Sequence, residues 1–412
     1  MTGPLVLIEP YAHRPGGHHQ HALVALARAR PGSLVIAPHG ITRETTTALR
    51  KAKARVITAP SGTVAAVLMA GSRFASAVAA VGLCAFHSGR WPRAVRRLPH
   101  QVTLLARCLT EAAALRTARV RAPDLDAVVI LTASEALHGL AALLGGQPHL
   151  RFVHEVNTTE DLPLRLVGRL ARRAEPRTIA LYPTAAIGKE ATNHFPGLSS
   201  QVRTYAIDDG TERISPSERA SGRTAFAIPE EEPALCLMGG WWPHKDLGTL
   251  DVALGKLRHP LHLLVAGHPL DEPTLNRWRQ LPNVRLHLTR GPVGEQFLRL
   301  VYAAADAALV VRRPGVAKES GLVMDSARYG VPLLVSDHDA TLTDALQDKP
   351  WARIFTAADP TSLAEALGAT TSTPLPRPGP DASRLLGMWP ATDQADFLTR
   401  AYARLLPKEP RC

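Results

Sequence analysis

Arg312-Arg313-Pro314-Gly315-Val316-Ala317-Lys318-Glu319-Ser320-Gly321-Leu322-Val323-Met324-Asp325-Ser326-Ala327-Arg328-Tyr329-Gly330-Val331-Pro332 reads as the end of a strand, a polar loop, a helix opening at Ser320-Gly321, a stop at Gly330 and the start of the next strand. Such a unit belongs to a parallel sheet, whose helix N-termini point toward the carboxyl ends of the strands. The backbone N–H groups of Gly321, Leu322 and Val323 can there receive a phosphate. Asp325, near the start of the same helix, suits hydrogen bonds from ribose hydroxyls, or simply offsets the helix dipole.

The same alternation runs outward in both directions. Toward the C-terminal side of the chain the candidate strands are Ala234–Met238, Leu261–Ala266, Val284–Leu288, Ala307–Val311, Pro332–Ser336 and Ala352–Phe355, each separated by a helical length. Toward the N-terminal side they are Leu5–Glu9, Ser33–Ala37, Arg55–Thr58, Asp126–Leu131, Leu150–His154, Arg177–Tyr182 and Val202–Ala206, with helices such as His18–Arg30 and Ser134–Leu144 between them. Apolar β-branched runs alternating with helices make an α/β chain built on parallel sheets. The expected division is residues 1–207 as one Rossmann-like domain, 208–233 as a linker rich in acids and turn formers, 234–391 as a second Rossmann-like domain, and 392–412 as a C-terminal helix that crosses back to the first.

Composition agrees with a folded two-domain protein: 412 residues, 45% hydrophobic, 20% charged, more than one core usually holds. The net charge of +12 is uneven. Residues 1–205 carry 25 basic and 11 acidic side chains, +14, whereas residues 206–412 carry 23 and 25, −2. A basic half attracts an anionic acceptor, an acidic membrane surface or nucleic acid, or is a solvated face. Nucleic acid is disfavoured because no aromatic stacking platform or DNA-binding spacing accompanies the charge. Arg90–Arg121 holds eight arginines against the single acid Glu111, interleaved with apolar residues, a composition that suits peripheral contact with anionic lipid.

Cys84, Cys108, Cys236 and Cys412 are too scattered for a disulfide framework or a metal site. Met1 leads straight into Leu5-Val6-Leu7-Ile8 without a basic leader, so a cytoplasmic protein is expected, with or without attachment to the inner face of the membrane. The apolar stretch Thr63 to Phe86, interrupted by Arg73, reads as a helix pair or a buried helix in preference to a membrane span.

Two further glycine-bearing turns follow strands. Gly16-Gly17 precedes the first helix, and His18 and His19 open it; they suit acceptor or phosphate contacts better than a metal, as does the wider run with His13 and His21. Gly239-Gly240-Trp241-Trp242-Pro243-His244-Lys245 follows a strand and precedes a helix, placing a cation where it can neutralise a diphosphate. No paired carboxylates can be assigned as nucleophile and acid, and Asp124/Asp126 and Asp337/Asp339 make poor metal sites.

The order of these features, with Leu263-Leu264-Val265-Ala266-Gly267-His268-Pro269 and the Glu-Ser-Gly-Leu-Val-Met-Asp…Gly-Val-Pro stretch, resembles the family-4 glycosyltransferases of the GT-B fold over nearly the whole chain. The resemblance implies two Rossmann-like domains facing across a cleft. It implies retaining, metal-independent transfer of a sugar, a hexose in many members, from a nucleotide diphospho-sugar on the C-terminal domain to a small-molecule or lipid-linked acceptor on the N-terminal one. By the same resemblance Lys245 matches the diphosphate-binding lysine and Gly17, with Gly16, its N-terminal glycine loop. Asp325 matches the ribose-binding acid, and His154 the histidine that faces the transferred sugar. Two positions depart from the pattern: Gly240 and Trp241 stand where an arginine is expected, and eight residues before Asp325 is Ala317, so the first acid is either shifted to Glu319 or replaced. These departures keep two other readings open, a nucleotide-sugar 2-epimerase of the same fold and a non-catalytic sugar-nucleotide-binding protein.

Overall fold

A computed structural model of the chain describes residues 3–15, 18–85, 93–123, 127–133, 137–156, 177–208, 213–291, 293–316 and 319–406. It divides into two compact units: residues 1–14, 19–207 and 391–412 form the first, and 15–18 with 208–390 the second.

The first unit is built on a seven-stranded, all-parallel sheet of β1 (Leu5–Ile8), β2 (Leu34–Ile36), β3 (Arg55–Ile57), β4 (Ala127–Ala133), β5 (His149–Val153), β6 (Thr178–Tyr182) and β7 (Ser199–Val202), in the order β3-β2-β1-β4-β5-β6-β7. Strands β1, β2, β5 and β6 are buried along their whole length, as expected of a parallel sheet covered on both faces. Helix α1 (His18–Ala29) supplies part of that cover through Ala22, Leu23, Leu26 and Ala27, and α2 (Arg43–Lys51) adds Leu49. The C-terminal helix Ala391–Ala403 belongs to this unit and seats Ala395, Leu398, Ala401 and Tyr402 in its core. It is tied there by Arg30 to Asp396, and by Arg203, whose Nε donates to Gln394 Oε1 at 2.6 Å.

Two expectations for this unit are corrected. The last strand is Ser199–Val202, not Val202–Ala206. A polar, exposed edge strand has no apolar signature, whereas Tyr205, Ala206 and Ile207 are apolar because they plug the core from a loop. Residues Thr63–Ala85 form a single helix, α3, and it is not buried. It pairs with α4 (Arg93–Arg121) along a seam of small residues, pinned where Ser72 Oγ donates to Ala106 O at 2.8 Å and meets Thr110 Oγ1 at 2.7 Å. The remainder of α3 faces outward.

The second unit repeats the scheme with β8 (Ala234–Met238), β9 (Leu261–Gly267), β10 (Val284–Arg290), β11 (Ala307–Val310), β12 (Leu333–Ser336) and β13 (Ala352–Phe355), all parallel, in the order β10-β9-β8-β11-β12-β13. Within each sheet the order is that of a Rossmann fold, which reverses direction between its first and fourth strands: β1 and β4 in one unit, β8 and β11 in the other. Residues 208–233, expected as a linker, contain the helix Pro216–Ala225, started by a capping box between Ser215 and Glu218 with proline in the first turn. The buried Arg223 fixes it. Its guanidinium reaches Asp306 at 3.4 Å and the carbonyls of Glu232 at 2.5 Å and Glu230 at 3.2 Å. Asp306 also accepts from Arg219 at 2.6 Å and from the backbone N–H of Ala234 at 2.8 Å, so one carboxylate joins the helix to the starts of β8 and β11.

Without Arg223, Asp306 keeps Arg219 and the Ala234 N–H, but the carbonyls of Glu230 and Glu232 lose their donor. Arg223→Ala should therefore lower stability by about 2–3 kcal/mol, while Arg277→Ala, which breaks an exposed pair with Asp251, should cost at most about 1 kcal/mol. Urea unfolding of the two variants checks the contrast.

Candidate functional site

In the second unit the polypeptide leaves β8 through Gly239 and Gly240. The following segment, 244–246, lies antiparallel to residues 311–313, which continue β11. Asp246 N donates to Val311 O at 3.3 Å and Arg313 N to His244 O at 3.0 Å, which sets Lys245 opposite Arg312. Lys245 Nζ donates to the carbonyls of Met238 at 2.6 Å and Gly239 at 3.1 Å. Burial, and then the Arg312 charge, bring the Lys245 pKa down to about 7. Burial likewise lowers Arg312 to about 10. Two cations withdrawn from water, at the strand ends where the sheet reverses, make a site whose electrostatic strain an anion relieves.

The loops there approach closely enough to require glycine. A Cβ on Gly267, whose φ is +148°, would lie 2.4 Å from the Gly239 carbonyl carbon, and one on Gly240 would lie 2.2 Å from His268 O. The need for glycine at 240 is thus met within the protein, by the neighbouring loop. Beyond β11, the helix Gly321–Tyr329 begins at Ser320, whose side chain makes no capping bond and whose buried Oγ has no partner among the described residues. A helix N-terminus without a side-chain cap is suited to an external anion.

In the first unit a cavity of about 250 Å³ opens at the corresponding reversal, between the ends of β1 and β4. Tyr11, His19, His39, Arg107, Thr132 and His154 are among its lining residues. Behind Thr132 lies Glu9, wholly buried, which accepts from Thr132 Oγ1 at 2.8 Å and from the Tyr11 N–H at 2.8 Å. Thr132 Oγ1 in turn meets His19 Nδ1 at 3.1 Å. Burial raises the Glu9 carboxyl to about 7, against which the two hydrogen bonds and Arg14 act. His154 packs edge-on against His19 and Tyr205, with ring centroids 5.0 and 4.5 Å away, and its Nε2 lies 3.1 Å from Leu131 O. Burial lowers its pKa to about 4, so it is a neutral imidazole at physiological pH and donates from Nε2 to that carbonyl.

The expected residues therefore separate into groups. His19 and His154 meet at the first cavity, while Lys245 and Gly240 stand at the second reversal point with Gly321, Leu322 and Val323 opening the helix beyond β11. His18 opens α1; Gly16 and Gly17 lie outside the described residues, as do Asp124 and Asp126. Glu319 is half-buried one residue ahead of the helix cap. Asp325 is buried one turn in, with Arg328 Nη2 donating to it at 3.0 Å, so the carboxylate expected to meet a ribose is engaged by an intrahelical partner.

Three residues at these places were not singled out from the sequence: Arg312, Glu9 and Thr132. Each follows or ends a strand beside the reversal point, and strand order is the signal that finds them. That order is a property of the folded sheet.

No family model and no curated relative matches the chain. Solved structures do. HepE from Anabaena, in complex with UDP-glucose, matches with a TM-score of 0.58 at 13% identity, over 97% of this chain and 98% of that one. A glycosyltransferase from Rickettsia africae matches at 0.57 and 11%, over 98% and 96%. WaaG, a glycosyltransferase involved in lipopolysaccharide biosynthesis, matches at 0.54 and 15%, over 98% and 100%. The chain has the GT-B fold.

Two measurements follow from the titrating groups. Unfolded Glu9 titrates near its ordinary value of 4.5 and folded Glu9 near 7, so its contribution to stability is full below the lower value and is lost as pH rises through the higher one. Wild type should lose melting temperature relative to Glu9→Gln between about pH 5 and about pH 8. Lys245 has the opposite arrangement: its folded pKa lies below the ordinary 10.5, so burying it penalises folding below about 7 and the penalty lifts as pH rises toward the unfolded value. An anion that needs the Lys245 charge should bind less tightly as pH climbs through 7, a step visible in calorimetric titration with a nucleoside diphosphate and missing in Lys245→Gln.

Proposed function

We propose that the protein is a retaining, metal-independent glycosyltransferase that takes a sugar from a nucleotide diphospho-sugar. The observation that carries this reading is the pairing of the half-buried Lys245 with the buried Arg312 at the reversal point of the second sheet. The uncapped start of the Gly321 helix adds a second place for phosphate oxygens. Likeness to HepE, which was solved with UDP-glucose, supports a uridine diphospho-sugar as the first donor to try. The resemblance to family 4 supports retention and a hexosyl donor.

As the bond from the anomeric carbon to the diphosphate breaks, negative charge gathers on the departing phosphate while the sugar becomes oxocarbenium-like. Groups positioned in advance to meet that charge lower the barrier most. Lys245, neutral or charged according to pH in the free protein, gains a proton more readily once the diphosphate is beside it. Arg312 is charged throughout. These side-chain cations do the work that a divalent ion does elsewhere, which is the basis for reading the reaction as metal-independent.

The acceptor belongs in this reading to the first unit. Its cavity is lined by imidazoles and a threonine hydroxyl, with the Glu9 carboxyl behind, groups that hydrogen-bond a hydroxylated acceptor, whether a free small molecule or a lipid-linked one. At about 250 Å³ it holds one ring or head group.

The test is turnover of UDP-glucose and related nucleotide sugars over an acceptor panel, with the anomer of the product read by NMR. Nucleotide release that depends on acceptor, retains configuration and survives EDTA is the expected result. Release of an epimerised sugar without acceptor would make the protein an epimerase, and tight binding without turnover would make it a sugar-nucleotide receptor. Lys245→Ala should lower turnover by about 10²–10³, the loss of one positioned charge contact at the transition state. Wild-type turnover by that variant removes Lys245 from the site.

A further inference from the structure

Between Glu44 and Glu111 the sequence carries ten Lys and Arg and not one Asp or Glu. Helices α3 and the first part of α4 lie in this interval. On α3 the buried positions are Ala65, Met69, Ser72, Ala75, Ala79 and Gly82, spaced by three or four, so a single narrow seam is spent on packing against α4. Only 28% of the most apolar stretch of the helix is buried. On the outer faces Val67 is 65%, Phe74 72% and Val81 69% exposed, with Val64, Val78 and Leu83 beside them. A soluble core helix shows the reverse balance. An apolar surface of this extent marks a contact that the isolated chain does not make.

The surroundings of this face say what covers it. Arg73 is the one charge on α3, next to Phe74. Ser72 pairs with Ala106 and Thr110, while Ser61, just ahead of α3, pairs with Thr117 and Arg121, so the two helices run antiparallel and the last turn of α3 comes beside the first described side chains of α4. There Arg96 and Arg97 are exposed, with Leu98 also largely exposed. The apolar surface is therefore edged by guanidinium groups, and the sequence between Glu44 and Glu111 contains no carboxylate. A second copy of this chain docked face to face would bring two arginine-edged surfaces together, without an acid from the same segment to pair with. Anionic lipid meets both demands: acyl chains for the valines, leucines and Phe74, and head-group phosphates for the arginines.

We propose that the outward face of α3, with the arginines at its edge, is a membrane-docking surface that lies in the interface of an anionic bilayer. The helix lies along the surface, because its inner seam is hydrogen-bonded to α4 through Ser72. The inference is independent of the sugar-transfer reading, since none of these residues lines either candidate site.

The test uses the full-length protein and two kinds of vesicle, phosphatidylcholine alone and phosphatidylcholine with phosphatidylglycerol. Co-sedimentation with the anionic vesicles is expected, weaker at higher salt. Phe74→Glu combined with Val81→Glu should weaken it by about tenfold or more, with the melting temperature and any turnover of soluble substrates unchanged. Arg96→Glu with Arg97→Glu should remove the preference for anionic lipid. An environment-sensitive dye on the exposed Cys84, at the end of the same helix, in a Cys412→Ser background, should shift to the blue on binding. Absence of binding by wild type, equal binding by the glutamate variant, or a lipid-free dimer that the glutamate variant separates would each overturn the proposal.

Discussion

Lys245 and Arg312 stand opposite each other because two short backbone segments, one after β8 and one after β11, are joined by main-chain hydrogen bonds. Neither side chain chooses that position by its own affinity; like charges placed together and withdrawn from water oppose folding. The scaffold holds them there by fixing both ends of β11. At its start Asp306 binds Arg219, Arg223 and the N–H of Ala234, which sets β11 against β8, and at its end the strand delivers Arg312. An ion network far from the site thus sets the register that brings the cations together. Burial answers part of the repulsion by moving Lys245 toward its neutral form near physiological pH.

The first unit has the same strand order and the opposite chemistry. At the reversal between β1 and β4 the buried group is an acid, Glu9, that holds its proton up to about 7, and the nearby His154 is neutral because burial lowers its pKa to about 4. Thr132, His154 and the protonated Glu9 can each donate or accept a hydrogen bond without a net charge, while Arg107, Glu111 and Glu155 bring charge of both signs to the same lining. The large positive charge of the first half of the chain resides mostly elsewhere, on α4 and the surface.

The α/β alternation was legible because each buried parallel strand leaves a short run of apolar residues, and the strands among the described residues lie on or beside such a run except β7. Ser199-Ser200-Gln201-Val202 sits at the sheet edge, buries little and looks like a loop, while the neighbouring Tyr205-Ala206-Ile207 looks like a strand. Lys245 was legible because lysine in a glycine-rich strand-to-helix turn is unusual. Arg312 was not, since an arginine among arginines carries no local mark and its importance depends on which strand lies next to β8. The same limit hid Glu9, which reads as the polar end of a strand until the fold buries it. Helix α3 failed in a different way: its composition was read for burial, but alanine and valine on all sides of a helix do not tell which sides have a neighbour.

Identities of 11–15% to chains of the same fold say that strand order and the placement of two reversal points persist while almost every side chain changes. Sheet order brings the residues after the first and fourth strands together whatever they are, so the fold supplies proximity and the local sequence supplies chemistry. In this chain proximity has been filled with a lysine and an arginine in one unit and with a carboxyl, a hydroxyl and imidazoles in the other. Those choices work against stability, as two neighbouring cations, one buried and one half-buried, and a buried acid must. Residues that oppose folding at the two points where the architecture gathers ligands are better explained by what they bind than by what they hold together.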